Sequence, residues 1–202
     1  MANINTAGFG LIAAGTVGST PSTQGQGKYY VEAADSDDLF QGCTVRMKDG
    51  FIVEASSTAT FATIGVFNGI FYNASTTLKP TWANWYNQPI TPANSENITC
   101  FVLDNPFQLF VGSASGAVTQ ANVGRTVSFT AAVPTGTENS GQSTNTLDIG
   151  TINDTLRQWR LIRSAEDPEN SDITNNFCSF VFAQSLGQYL LNTATVGNDW
   201  TI

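Results

Sequence analysis

The sequence predicts an all-β fold, a single compact β-barrel or β-sandwich domain with an extended N-terminal arm. Three observations lead there. The 202-residue chain is 41% hydrophobic but only 12% charged, about half the usual charged share, and Ser, Thr, Asn, Gln and Gly fill the polar places. Long helices wet their outer face with Glu, Lys and Arg, which are scarce here. The apolar residues come in short runs rich in Phe, Val and Leu, which suit a half-buried pleated surface. Those runs end at Gly, Pro, Asn and Asp, the residues that turn a chain. At this length roughly 70% of the unfolded surface is buried on folding, so the core needs no metal or disulfide.

The organisation read from the chain is an arm over residues 1–26, a core domain over 27–191 and a tail over 192–202. In the arm, Gly8, Gly10, Gly15, Gly18, Gly25 and Pro21 break any period, while Phe9, Leu11, Ile12 and Val17 give it an apolar side. Composition alone fits a disordered tail. The apolar residues fit an arm that orders against a neighbouring subunit, and on that reading removing residues 1–26 leaves the domain folded. Residues 28–33 are the first strand, followed by an acidic stretch with Asp35, Asp37 and Asp38. That stretch lacks the spacing and closing Glu of a calcium loop and reads as a solvated turn. Residues 44–48 and 51–55 flank Asp49-Gly50, a two-residue hairpin turn. Residues 61–72 form the most apolar segment, a strand bent or bulged at Gly65 and Gly69. Residues 80–92 hold Trp82, Trp85 and Tyr86 among prolines. Core packing or a subunit interface is the first reading of these aromatics, and a sugar-stacking platform the second.

The stretch 99–111 is the centre of the chain: two apolar runs around Asp104-Asn105-Pro106, a β-hairpin or a tight β-corner. A strand follows at 123–129 and then a long exposed loop at 134–146. In residues 156–163, Leu156, Trp159, Leu161 and Ile162 interleave with Arg157, Arg160 and Arg163, the pattern of an edge strand guarded by charge. An acidic loop around Pro168, a final apolar strand at 177–183 and a short strand at 188–191 complete the domain.

Composition also bears on chemistry. There is no histidine, which removes the usual general base and the commonest metal ligand. Cys43, Cys100 and Cys178 are too widely spaced for a zinc site or disulfide framework and read as buried thiols. The carboxylates Glu32, Glu54, Glu96 and Asp104 sit in no acid–base motif. The expectation is a protein that is not an enzyme, with no catalytic residue, cofactor or metal. A net charge of −8 argues against nucleic acid as a partner. No apolar run is long enough to span a membrane, and the first residues lack the basic region of a signal peptide, so folding in a cytoplasm is expected.

Taken in order, several short motifs make a pattern: Gly8-Phe9-Gly10-Leu11; Tyr29-Tyr30; Leu39-Phe40-Gln41-Gly42; Asp49-Gly50; Ile64-Gly65-Val66-Phe67-Asn68-Gly69 with Tyr72; Trp82; Phe101-Val102-Leu103-Asp104-Asn105-Pro106 with Phe110-Val111; Gln120-Ala121-Asn122-Val123-Gly124; Arg160-Leu161-Ile162; and Asp167-Pro168-Glu169-Asn170. This order resembles the head decoration (cement) proteins of tailed bacteriophages. The resemblance implies a structural virion protein on the outer surface of a phage capsid, assembled in the host cytoplasm. It implies the major capsid protein as partner and a homotrimer at local three-fold positions. On that reading Phe9, Leu11, Ile12 and Val17 form the capsid-contact arm and Trp82, Trp85 and Tyr86 a subunit interface. The rival readings are another virion β protein, from a tail tube or fibre, and a carbohydrate-binding β-sandwich using the same aromatics.

Overall fold

Strand follows strand along nearly the whole chain. The computed structural model describes residues 3–18, 25–33, 35–55, 61–129 and 135–189. Within them run β1 (Ile12–Thr16), β2 (Gly27–Val31), β3 (Leu39–Phe40), β4 (Thr44–Lys48), β5 (Phe51–Glu54), β6 (Gly65–Asn73), β7 (Pro80–Ala83), β8 (Trp85–Tyr86), β9 (Ile98–Leu103), β10 (Gln108–Ser113), β11 (Thr126–Phe129), β12 (Gly136–Thr137), β13 (Gln142–Ser143), β14 (Leu147–Asn153), β15 (Trp159–Ser164) and β16 (Ser179–Gln184). The only helical pieces among the described residues are 3-10 turns at Ala93–Ser95 and Gln120–Asn122.

The strands pair antiparallel in two main sheets. The first runs β1-β10-β16-β15-β11-β14, and the second β2-β9-β6-β4-β5 with β7 added to β6. Two short ladders, β3-β8 and β12-β13, stand beside them. Each sheet has its own core. Leu11, Phe110, Phe129, Trp159, Phe180 and Phe182 fill the first; Ile52, Phe67, Ile70, Tyr86, Ile98 and Val102 fill the second. The all-β domain is therefore a stack of antiparallel sheets and not a closed barrel. In the first sheet the segment after β10 returns to β14 through a single bridge, Ala114–Leu147.

The segment around Asp104-Asn105-Pro106 is a corner. β9 pairs with β2 and β6, whereas β10 pairs with β1 and β16, so the chain changes sheets there. Asn105 makes the turn locally: its Oδ1 accepts the Phe107 N–H at 2.9 Å and its carbonyl the Gln108 N–H at 3.0 Å. Asp104 Oδ2 accepts the Tyr29 hydroxyl at 2.5 Å and so ties the corner to β2. The Asp49-Gly50 hairpin forms as expected, with both residues at positive φ, as a primed two-residue turn requires. β6 bulges between Phe67 and Gly69.

Two expectations fail. Residues 3–18 are not an arm. Asn3 donates to the carbonyls of Asp172 (3.0 Å) and Asn176 (2.8 Å), and Asn5 N–H bonds Asn170 Oδ1 at 2.8 Å. Leu11 donates its N–H to the Gly42 carbonyl at 2.8 Å and is 2% exposed in the first core. β1 then lies along β10. A Cβ at Gly10, which sits at φ +71°, would stand 2.8 Å from the Gly42 carbonyl, so glycine is what lets this segment cross the β3–β4 connection. The second failure is the arginine-rich strand. β15 lies between β16 and β11, not at an edge. Trp159 and Leu161 point into the core and Arg160 and Arg163 into water, so an inner strand with one wet face carries the same alternation as an edge strand.

Within the expected loop, residues 135–146 are also more ordered than a loop. β12 and β13 pair there, and Asn145 Oδ1 accepts from Thr135 N–H and hydroxyl at 3.0 and 2.6 Å. The tail over 192–202, with Leu190 and Leu191, lies outside the described residues, as do residues 19–24 of the expected arm. Up to Tyr189 the chain end crosses from one sheet to the other. Gln184 Nε2 donates to the Thr63 carbonyl at 2.7 Å, and the Gln188 side-chain amide pairs with both the N–H (2.8 Å) and the carbonyl (3.0 Å) of Met47.

Candidate functional site

The residues that could carry covalent or acid–base chemistry are dispersed or sequestered. Asp104 is engaged by Tyr29, and Glu96 accepts the Asn73 amide at 2.8 Å. The three cysteines are buried and unpaired. Burial pushes the thiols of Cys43 and Cys100 up to about 12 and that of Cys178 up to about 11, which leaves them as thiols and poor nucleophiles at neutral pH. Among the described residues no group of three His, Cys, Asp or Glu side chains could hold a metal ion, and no helix is long and apolar enough to cross a membrane.

One carboxylate is unusual. Glu54 lies opposite Val45 and so shares the inward face of the second sheet. Its Oε2 is buried without a hydrogen-bond partner. Burial first, then nearby Asp37, pushes its carboxyl up to about 7; Arg46 opposes the shift and Asp35 adds to it. Asp35 is itself pushed up by burial, so the acidic stretch is less solvated than a plain surface turn. The folded state thus prefers neutral Glu54. Its contribution is complete below the ordinary carboxylate range and is lost as pH rises through about 7. Glu54→Gln should match the parent at pH 4 and be more stable at pH 8 by about 1–2 kcal/mol, a figure reduced for solvent screening of a half-exposed group. Urea midpoints for both proteins from pH 4 to 8 measure it, and parallel curves would refute it.

Two surfaces remain. The first is the β1 edge. Leu11 is core and Phe9 half-buried, but Ile12 (55% exposed) and Val17 (46%) face solvent. Val17 donates its N–H to the Phe107 carbonyl at 2.8 Å, and Phe107 is 55% exposed. The three make an apolar strip along β1 and the turn before β10. No residue from 3 to 18 is charged. Among the other outer strands of the two main sheets, β14 carries Asp148, β2 carries Lys28 and β7 begins at Pro80, while the one carboxylate of β5, Glu54, faces inward. Beside the edge runs a groove of about 320 Å³, lined by Phe9, Ile12, Gln26, Gln41, Leu103 and Gln142 among others.

The second surface lies on the outer face of the second sheet. The sequence grouped Trp82, Trp85 and Tyr86, and the structure separates them. Tyr86 is fully buried in the second core, its hydroxyl donating toward carbonyls of Glu32, Ala33 and Asp35 at 3.2–3.3 Å. Trp85 stacks on Phe40 at 5.6 Å, with planes 8° apart. Trp82 alone is well exposed, and its neighbours are Phe71, Phe101 and, farther along, Tyr30. Those three were not singled out as site residues. Their signal was an aromatic in the outward phase of a strand whose alternate residues, such as Ile70, Cys100 and Val31, are core.

No protein-family model, curated protein or solved structure matches this chain.

Proposed function

We propose that this protein is a head decoration protein, a structural virion component that binds the outer surface of a phage capsid and stabilises it. The partner is the major capsid protein, and trimers at local three-fold positions follow from the family the motif order resembles. The observation that carries the proposal is the β1 edge. In a chain of net charge −8, this is an outer strand of a main sheet with neither a charge nor a proline to guard it, and an unguarded edge is a template for pairing with another chain. An extended segment of a shell subunit adds along this edge, while Ile12, Val17 and Phe107 pack against that subunit. Of the four residues first assigned to the contact, Ile12 and Val17 keep that role, and Leu11 instead holds the strand in place.

Physically, cement action is mass action plus avidity. A ligand that binds only the closed shell stabilises it, and linked weak contacts across neighbouring capsomers multiply in effect. The test is reconstitution: full-length protein added to heads that lack it, with occupancy read by sedimentation and density. Parent protein should saturate the lattice and raise the temperature at which the heads open. Ile12→Lys with Val17→Lys, both at exposed positions, should remain folded and reduce occupancy at least about tenfold. Failure of the parent protein to bind heads, or cryo-electron density that places it on a tail, would overturn the proposal.

A further inference from the structure

The outer face of the second sheet carries a line of aromatic rings that neither core uses. Register sets Tyr30 of β2 opposite Thr99 of β9, Thr99 opposite Phe71 of β6, and Phe71 opposite Trp82 of β7. Four neighbouring strands thus contribute to one row, three strand spacings or about 14 Å across. Its aromatic members are open to solvent: Tyr30 and Phe71 are each 42% exposed and Trp82 is 52% exposed.

The row is built and not merely left bare. A Cβ at Gly69 would stand 2.7 Å from Trp82 Cζ2, so the indole lies across backbone that only glycine leaves free. Phe101, opposite Gly69 in the next row, holds the indole from the side at 5.4 Å and a 45° tilt. Trp82 is therefore fixed in orientation while half of it faces water. Fixing a ring before binding removes the ordering cost that a mobile exposed side chain would add.

What the row fits follows from its composition. None of the exposed large aliphatic side chains belongs to β2, β6, β7 or β9. Polar groups interrupt and flank the rings instead. Thr99 sits within the row, Lys28 is two residues from Tyr30 on the same face, and Asn73 is two residues from Phe71, its amide bonded to Glu96 at 2.8 Å. Large contiguous exposed apolar patches mark protein-binding surfaces, whereas polar groups divide this row. A sugar ring has C–H faces that stack on aromatic faces and a rim of hydroxyls that bond to amides, carboxylates and hydroxyls beside them. A row that runs across four strands suits a linear chain more than a single sugar. We propose that this row binds a glycan, a linear polysaccharide of hexopyranose units laid across β7, β6, β9 and β2, with Trp82 and Phe71 as the stacking residues and Tyr30 at the far end. The proposal stands on a different sheet from the β1 edge and does not depend on the head-decoration reading.

The experiment titrates the full-length protein with hexasaccharides of β-1,4-linked glucose, N-acetylglucosamine and mannose, followed by tryptophan fluorescence and calorimetry. An exposed row of rings should bind at least one of them with a Kd on the order of 0.1–1 mM. Trp82→Ala should weaken that binding at least about tenfold and Phe71→Ala at least about threefold, while Trp82→Tyr keeps most of it because a ring face remains. Ile162→Ala, exposed on β15 of the other sheet, should change nothing, and melting curves of all variants confirm that each is folded. No binding of any of the three up to about 10 mM, or undiminished binding by the Trp82→Ala/Phe71→Ala double variant, overturns the proposal. So does a concentration-dependent dimer that the double variant abolishes, since a second copy would then cover this face.

Discussion

A chain lacking residues 1–18 should not fold. The truncation removes β1 and bares the edge of β10, and it takes Leu11 out of the first core. It also removes the clamp that Asn3 and Asn5 place on residues 170–176 and the hydrogen bond that joins Leu11 to Gly42. Leu11→Ala alone should cost about 2.5–4 kcal/mol, the usual range for a buried leucine. Against a total of about 5–15 kcal/mol for a domain, that single loss is large and the whole segment is decisive. Ile12→Ala, one residue away but exposed, should stay within about 0.5 kcal/mol. Circular dichroism and urea unfolding of the three variants separate these outcomes. A truncated chain with the parent's urea midpoint would restore the arm reading of residues 1–26.

Why this segment looked like an arm is a matter of what local sequence encodes. Its glycines break periodicity, and broken periodicity reads as disorder. The reason for Gly10 is a carbonyl more than thirty residues away, at Gly42, and nothing near Gly10 announces it. The same limit governs the 99–111 stretch. Asp104-Asn105-Pro106 specifies a turn, and the runs on either side specify strands. Whether those strands pair with each other or with β2, β6, β1 and β16 is a non-local choice. Where partner and turn are adjacent in sequence, as at Asp49-Gly50, the pairing was legible in full. The three arginines of residues 157–163 show the converse case. Alternation identifies a strand with one wet face, and β15 has one although it lies inside its sheet. The aromatic surface was half legible. A strand of two residues, such as β8, has no readable phase, so Tyr86 could not be assigned to the core. In β6 and β9 the phase was readable, and Phe71 and Phe101 fell on its outward side.

Trp159→Ala should be the most damaging single substitution in the first core, at about 3–5 kcal/mol. Trp159 is fully buried on the inner strand β15, between Val127 of β11 and Gln184 of β16. Phe110 and Phe129 meet its ring edge-on at 5.4 and 6.2 Å. Alanine there would leave a void at the junction of three strands, walled by rings whose packing depends on the missing indole. Trp159→Phe should behave differently. The indole Nε1 is buried and has no hydrogen-bond partner, and an unpaired buried donor costs about 1–3 kcal/mol. Phenylalanine removes that donor together with part of the apolar contact, and the two changes oppose each other. The net loss should stay below about 2 kcal/mol, so the alanine and phenylalanine variants should differ in urea midpoint far more than ring area alone would give. A phenylalanine variant as unstable as the alanine one would show that the N–H is bonded after all. Trp159 and Leu11 line the same core, so their alanine substitutions are close enough to couple. Together they remove enough of the domain's total stability that the double variant should be unfolded without denaturant.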